Sequence, residues 1–226
     1  MTSRDRLATY VVLDAGTLAA GLDLPGLARA AAAGGARTLQ VRDKHAGGRD
    51  LYHLVALVAQ ALADVHADID LLVNDRVDVA HAARLAGLPV HGAHIGQDDL
   101  PPSAARAVLG PQAVLGLSVG TLDEVAEASA LPSGTLDYLG ISPVRATSTK
   151  PDAPTPVGED GAAALAAATS LPCVGIGGLG AQDAAWMRSA GLAGVAVVSA
   201  VSLAPDPEEA VRELAGAWAL APAGSR

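Results

Sequence analysis

TLQVRDKHAGGRDLYHLVALVAQALADV, residues Thr38 to Val65, holds in one stretch the pattern that recurs along this chain. A short β-prone run, Thr38–Val41, leads into the polar cluster Gln40-Val41-Arg42-Asp43-Lys44, and from Arg49 to Val65 the apolar residues return at helical spacing. Working outward, the same unit repeats. Strands are predicted at Tyr10–Leu13, Thr38–Val41, Leu71–Asn74, Gly92–Ile95, Val114–Ser118, Tyr138–Ile141, Cys173–Ile176 and Val195–Val198. Helices are predicted at Leu24–Ala33, Arg49–Val65, Val77–Ala86, Ser103–Leu109, Leu122–Ala130, Gly161–Ala168, Ala181–Ala190 and Pro207–Ala219. Strands apolar on both faces and separated by helices require parallel pairing through right-handed crossovers. A doubly wound open sheet reads similarly, but eight such units close into a (β/α)8 barrel. The fold class is therefore α/β, a single TIM-barrel domain over residues 1–226 with short polar tails at 1–8 and 221–226.

Length and composition agree with this reading. The chain has 226 residues, half of them apolar and 17% charged, enough to bury one core and too little charge for disorder. A net charge of −9 argues against a nucleic-acid surface, because affinity for a polyanion depends on basic side chains displacing counterions. The N-terminus is polar and the run Tyr10–Leu13 stops at Asp14, so neither a signal peptide nor a membrane span is expected, and the cytoplasm is the expected location. Cys173 is the only cysteine, which excludes an internal disulfide and a cysteine-built metal site. Its apolar neighbours mark it as a buried strand residue.

Polar residues gather where the strands end. Gln40 to Lys44 follow the second strand, Asn74-Asp75 end the third, Gly96-Gln97-Asp98-Asp99 follow the fourth, and Ser118 ends the fifth. Pro143 to Lys150 follow the sixth, Gly177-Gly178 the seventh and Ser199 the eighth. In a barrel these ends share the face that carries the active site. The residues preceding the strands show no comparable cluster.

Lys44 and Lys150 are the only lysines, beside thirteen arginines. A lysine is a mobile point charge with three donors, unlike the rigid fork of arginine, and suits a phosphate met at one angle. Gln40, Arg42 and Lys44 alternate along an extended segment and offer their donors to one side, as a diphosphate requires; a strand-end salt bridge of Arg42 is the plain alternative. Asn74-Asp75 and Asp98-Asp99 supply hard carboxylates at the ends of adjacent strands near these cations, the way magnesium is usually held, with helix capping ahead of Pro101-Pro102 the plain alternative for one of Asp98 and Asp99. Of His91 and His94, at least one is expected to be structural or exposed. Thr147-Ser148-Thr149-Lys150 lies among prolines in a loop over the barrel mouth, and Gly177-Gly178 with Val198-Ser199 lie where barrel enzymes form a phosphate cup. Two phosphate sites, one assisted by metal, give the layout of a transferase.

At this point the chain resembles the thiamine-phosphate synthase family. The resemblance runs in order from about Tyr10 to Ala210 on Gln40–Lys44, Asn74–Asp78, His94–Pro101, Gly116–Ser118, Thr147–Pro151, Gly175–Gly178 and Val197–Ala200. It implies condensation of hydroxymethylpyrimidine diphosphate with a thiazole phosphate to give thiamine phosphate and pyrophosphate, by dissociative loss of magnesium-bound pyrophosphate. Carried over by position, Gln40, Val41, Arg42, Asp43, Lys44, Asn74, Ser118 and Lys150 hold the pyrimidine diphosphate, with Lys150, Arg42, Lys44 and Ser118 catalytic. Asp75 and Asp99 bind one Mg2+ per subunit, and Thr147, Ser148, Thr149, Gly178, Val198 and Ser199 hold the thiazole phosphate. The partners implied are small phosphorylated molecules, with no nucleic acid and no membrane, and with homo-oligomerisation left open. Two departures from the family pattern stand out: extra residues near Arg84–Val90, and Gly120 where relatives often have histidine. A thiazole tautomerase-like isomerase and a non-catalytic thiamine-phosphate binding protein remain the competing readings; Asp75 and the missing histidine speak against the first, the paired carboxylates against the second.

Overall fold

A computed structural model describes residues 3–147 and 155–222. Eight strands, β1 (Thr9–Asp14), β2 (Thr38–Arg42), β3 (Asp70–Asn74), β4 (Gly92–Ile95), β5 (Val114–Val119), β6 (Tyr138–Ile141), β7 (Cys173–Ile176) and β8 (Gly194–Val197), pair in sequence order. Every pairing is parallel, and β8 returns to β1 to close the barrel. The helices are α1 (Ser3–Arg6), α2 (Leu24–Gly34), α3 (Gly48–Asp64), α4 (Val77–Leu85), α5 (Pro102–Leu109), α6 (Leu122–Ala130), α7 (Gly158–Ala167), α8 (Ala184–Ser189), α9 (Ser199–Ser202) and α10 (Pro207–Leu220).

Two cores follow from the period-two alternation of strand side chains. Val11, Leu13, Leu39, Val41, Leu71, Val73, Leu139 and Ile141 face outward into the helix layer. Tyr10, Val12, Leu72, Tyr138, Val174 and Ala196 fill the barrel interior. Continuing the inward register toward the carboxyl ends gives Asp14, Gln40, Arg42, Asn74, His94 and Ser118, all of which line one cavity. The same alternation turns Val41 away from that cavity. Between β4 and β5 only glycine fits at one position: a Cβ on Gly92 would lie 1.8 Å from the carbonyl oxygen of Val114, its register partner.

Three expectations need correction. The segment predicted as one helix from Ala181 to Ala190 is a 3-10 turn, Ala181–Asp183, followed by α8, and α7 starts at Gly158 rather than Gly161. The amino ends of the strands do carry polar clusters. Arg106 donates to the carbonyls of Gly110, Ala113 and Thr135 and pairs with Asp137 at 2.7 Å, while Arg6 bridges Asp68 and Asp70 beside His91. These groups tie together loop carbonyls and strand starts, as expected of the face that serves stability. Cys173 is buried, in agreement with its apolar neighbours. Among the described residues, no helix is long and apolar enough to cross a membrane.

Candidate active site

The cavity at the carboxyl ends of the strands has a volume of about 640 Å3, within the size range of small-molecule sites. Its cationic wall comes from β2 and the residues after it. Gln40 donates from Nε2 to the Tyr10 hydroxyl at 2.6 Å, Arg42 pairs with the nearly buried Asp14, and Lys44 reaches Asp75 at 2.7 Å. The partner of Arg42 is thus Asp14, on the neighbouring strand. Asp43 turns back on its own loop, accepting the backbone N–H groups of His45 and Ala46, and neither Asp43 nor Val41 presents its side chain to the cavity.

Asp75 stands at a sharp turn. Its φ is 60°, the Arg76 N–H donates across it to the Asn74 carbonyl at 2.6 Å, and its own N–H donates to the His94 carbonyl at 2.8 Å. A non-glycine residue in this region costs about 1–3 kcal/mol and persists where the surroundings over-determine it. The turn brings Asp75 against Asp99, whose Oδ2 accepts the Gly96 N–H at 2.7 Å. Asp99 therefore closes its own loop; α5 starts at a proline N-cap without a side-chain cap. Burial, and then the neighbouring Asp75, raise the Asp99 carboxyl above the ordinary carboxylate range. Two adjacent carboxylates at the rim of a cavity, one of them disfavoured as an anion, form a donor set that a hard divalent cation fits. Among the described residues no three His, Cys, Asp or Glu side chains gather for a closed metal cage, so further ligands would come from substrate oxygens and water.

Below this wall runs a chain of side-chain hydrogen bonds within the barrel. Tyr10 and Tyr138 meet hydroxyl to hydroxyl at 3.0 Å, Tyr138 meets His94 Nδ1 at 2.8 Å, and His94 Nε2 meets Ser118 Oγ at 2.9 Å. Burial raises both phenols well above their ordinary value, so they keep their protons. Because the Gln40 amide nitrogen can only donate, the Tyr10 oxygen accepts, and one continuous polarity becomes available: Gln40 to Tyr10, Tyr10 to Tyr138, Tyr138 to His94 Nδ1, and His94 Nε2–H to Ser118. That polarity leaves the Ser118 proton to point into the cavity. His94 belongs to this network, whereas His91 lies outside the cavity at the barrel's other end, accepting the Leu71 N–H at 3.0 Å.

The opposite wall is formed by the ends of β6 to β8. Thr147, Gly178, Val198 and Ser199 all line the cavity. Gly177 and Gly178 have φ of 106° and 65°, which a side chain would oppose, and Ser199 is the first residue of the four-residue α9. Ser148, Thr149 and Lys150 lie outside the described residues. Sequence reasoning missed Tyr10, Asp14, Ser142 and Tyr138 as lining groups and left His94 without a role. Asp14 carried the same signal as the others, a polar residue closing a strand; the tyrosines read as ordinary core.

Comparison with known proteins places this geometry among relatives. The family model described as thiamine monophosphate synthase matches residues 9–201. A thiamine-phosphate synthase of Azorhizobium caulinodans is 47% identical over 210 residues, covering 92% of this chain and 93% of that protein. One from Corynebacterium efficiens is 45% identical over 188 residues, covering 83% and 85%. Among solved structures, thiamine phosphate pyrophosphorylase from Pyrococcus furiosus superposes with a TM-score of 0.80 at 29% identity, covering 96% of this chain and 98% of that one. A 3-hexulose-6-phosphate synthase from Salmonella typhimurium, at 14% identity and a TM-score of 0.66, shares the fold.

Proposed function

The chain belongs to the thiamine monophosphate synthase family, enzymes of thiamine biosynthesis, and from that membership we propose that it transfers a pyrimidinylmethyl group from hydroxymethylpyrimidine diphosphate to the ring nitrogen of a thiazole phosphate. The observation that carries this reading is the convergence of Arg42, Lys44, Asp75, Asp99 and Ser118 on one cavity, faced across it by Thr147 and the Gly178 turn.

In this reading Arg42, Lys44, Asn74, Ser118 and Lys150 hold the diphosphate, and Gln40 anchors the buried network beneath it. Asp75 and Asp99 would hold one Mg2+, which would supply positive charge to stabilise the departing diphosphate. The methylene–oxygen bond breaks with its electron pair departing on pyrophosphate, and the guanidinium, ammonium and hydroxyl donors stabilise that growing charge. The thiazole nitrogen then donates its lone pair to the pyrimidinylmethyl cation, forming the carbon–nitrogen bond and a thiazolium. No proton leaves the nitrogen, so no general base is required. Asp14 and Asp75 neutralise Arg42 and Lys44 before substrate arrives, and a diphosphate would compete for both cations. Thr147 to Thr149, Gly178, Val198 and Ser199 hold the thiazole phosphate.

The tautomerase reading finds little support at Gly120: its N–H is taken by Glu124 at 2.6 Å, and a Cβ there would lie 3.1 Å from the Ser142 carbonyl. Incubation with both substrates and magnesium, followed by detection of thiamine phosphate and pyrophosphate, tests the proposal. Equal amounts of both products are expected, and neither when one substrate is omitted. Binding of thiamine phosphate without turnover would favour the carrier reading instead.

A further inference from the structure

We infer that Arg145 and Asp183 are positioning residues, an ion pair between two loops that fixes Thr147 and the Gly177-Gly178 turn in one geometry for the monophosphate of the second substrate. This rests on the assignment of Thr147 and Gly178 to the thiazole phosphate.

Asp183 is 1% exposed, at the end of the 3-10 turn that follows the glycines. Its Oδ2 accepts the Gly180 N–H at 2.9 Å, and its Oδ1 accepts Trp186 Nε1 at 3.0 Å and an Arg145 nitrogen at 2.7 Å. The first two contacts cap and brace the turn, and because each uses a different oxygen they call for a carboxylate, where an asparagine could accept only one of them. The negative charge that comes with those two acceptors must itself be met. A carboxylate this deeply buried is costly unless a cation meets it, and the cation comes from the loop after β6, 38 positions earlier in the chain. The other arm of Arg145 reaches Glu159 in the first turn of α7, so one guanidinium joins the loop after β6, the start of α7 and the turn after β7.

The backbone shows what this clamp holds. Beyond the paired strands, the Val144 N–H donates to Ile176 at 2.9 Å and the Arg145 N–H to Gly177 at 3.0 Å. A Cβ on Gly178 would lie 2.8 Å from the Ala146 carbonyl and 3.0 Å from the Arg145 Cβ. The turn thus packs directly against the two residues that precede Thr147. Thr147 and Gly178 line one cavity, and a shift of either loop would change the spacing of the donors offered to one phosphate.

The test is steady-state kinetics with each substrate varied in turn, on Asp183→Asn, Arg145→Met, the double variant and Arg145→Lys, each assayed well below its own Tm. Both single substitutions should raise KM for the thiazole phosphate about tenfold, the scale of a misplaced binding group, and leave KM for the pyrimidine diphosphate within about twofold. The double variant should be no worse than the poorer single one, and Arg145→Lys should recover part of the loss. Should Asp183→Asn fail to fold, Arg145→Met, at the partly exposed end of the pair, carries the test alone. Equal effects on both substrates, additive losses or an unchanged thiazole-phosphate KM would overturn the inference. A wild type that forms no thiamine phosphate would contradict the proposed function but not the clamp. The clamp is then read from calorimetric titration with inorganic phosphate, whose binding should weaken in both single variants; binding equal to wild type would overturn it.

Discussion

Tyr138→Phe removes one oxygen from the middle of the buried chain and nothing else. Tyr138 is 1% exposed, and its hydroxyl touches Tyr10 at 3.0 Å and His94 Nδ1 at 2.8 Å. Without it, His94 Nδ1 loses its donor and the Tyr10 proton loses its acceptor. Each buried group left unpaired costs about 1–3 kcal/mol, so the two together should destabilise the fold by about 2–6 kcal/mol, the lower end applying if water enters from the cavity. A second consequence is chemical. With Nδ1 no longer held as an acceptor, His94 is free to change tautomer, and Nε2 then accepts the Ser118 proton instead of leaving it to the substrate. Losing one neutral hydrogen bond of about 0.5–1.5 kcal/mol corresponds to a fall in kcat of about two- to twelvefold. Urea denaturation gives the first quantity and steady-state kinetics the second. NMR of nitrogen-15-labelled histidine reports the tautomer directly: protonated on Nε2 in the wild type, mixed or reversed in Tyr138→Phe. A variant as stable as the wild type, with the same His94 tautomer, would refute the reasoning.

Gly92→Ala should destabilise the barrel by at least about 2–3 kcal/mol, because its Cβ would meet the Val114 carbonyl at 1.8 Å and only backbone movement relieves the overlap; a melt within a degree or two of wild type would show that the strands separate easily. His91 should make stability fall on acidification. Burial lowers its pKa despite Asp70, with Arg6 and Arg84 acting in the same direction as burial and Asp68 in the opposite one, and protonation of Nδ1 would break the bond from Leu71. The folded state therefore binds fewer protons than the unfolded, and the stability present above about pH 6.5 is lost below it. His91→Gln should lose less over that interval, and equal slopes for the two proteins would assign the pH response to other groups.

The fold was legible because each strand is a short β-prone run closed by a polar residue or glycine, and because counting such runs to eight selects a closed barrel. Boundaries were lost where capping, rather than periodicity, decides: Asp183 divides the segment predicted as one helix, and α9 is too short to show a period. The site was legible to the extent that it lies at strand ends. Tyr10, Tyr138 and His94 were not, since inside a strand a polar group facing the barrel axis looks like any core residue until register places it beside Ser118. The pairs Arg42–Asp14 and Arg145–Asp183 join residues 28 and 38 positions apart, and only the parallel pairing of neighbouring strands, β1 with β2 and β6 with β7, brings them together. The polar clusters at the amino ends escaped notice for the same reason: Arg6, Asp68, Asp70 and His91 are scattered in sequence and meet only once β1, β3 and β4 lie near one another.

The most direct test of the proposed chemistry is thiamine-phosphate formation followed while metal is removed with excess chelator and then restored as magnesium, for the wild type and for Asp75→Asn. Asparagine tolerates the φ of 60° at this position and keeps the side-chain shape, so the substitution deletes one anionic ligand while preserving the turn. Wild-type turnover should vanish in chelator and return with magnesium, and Asp75→Asn should be slower by at least about a hundredfold at unchanged Tm. Full turnover of the wild type in excess chelator, or an Asp75→Asn variant as fast as the wild type, would contradict the account.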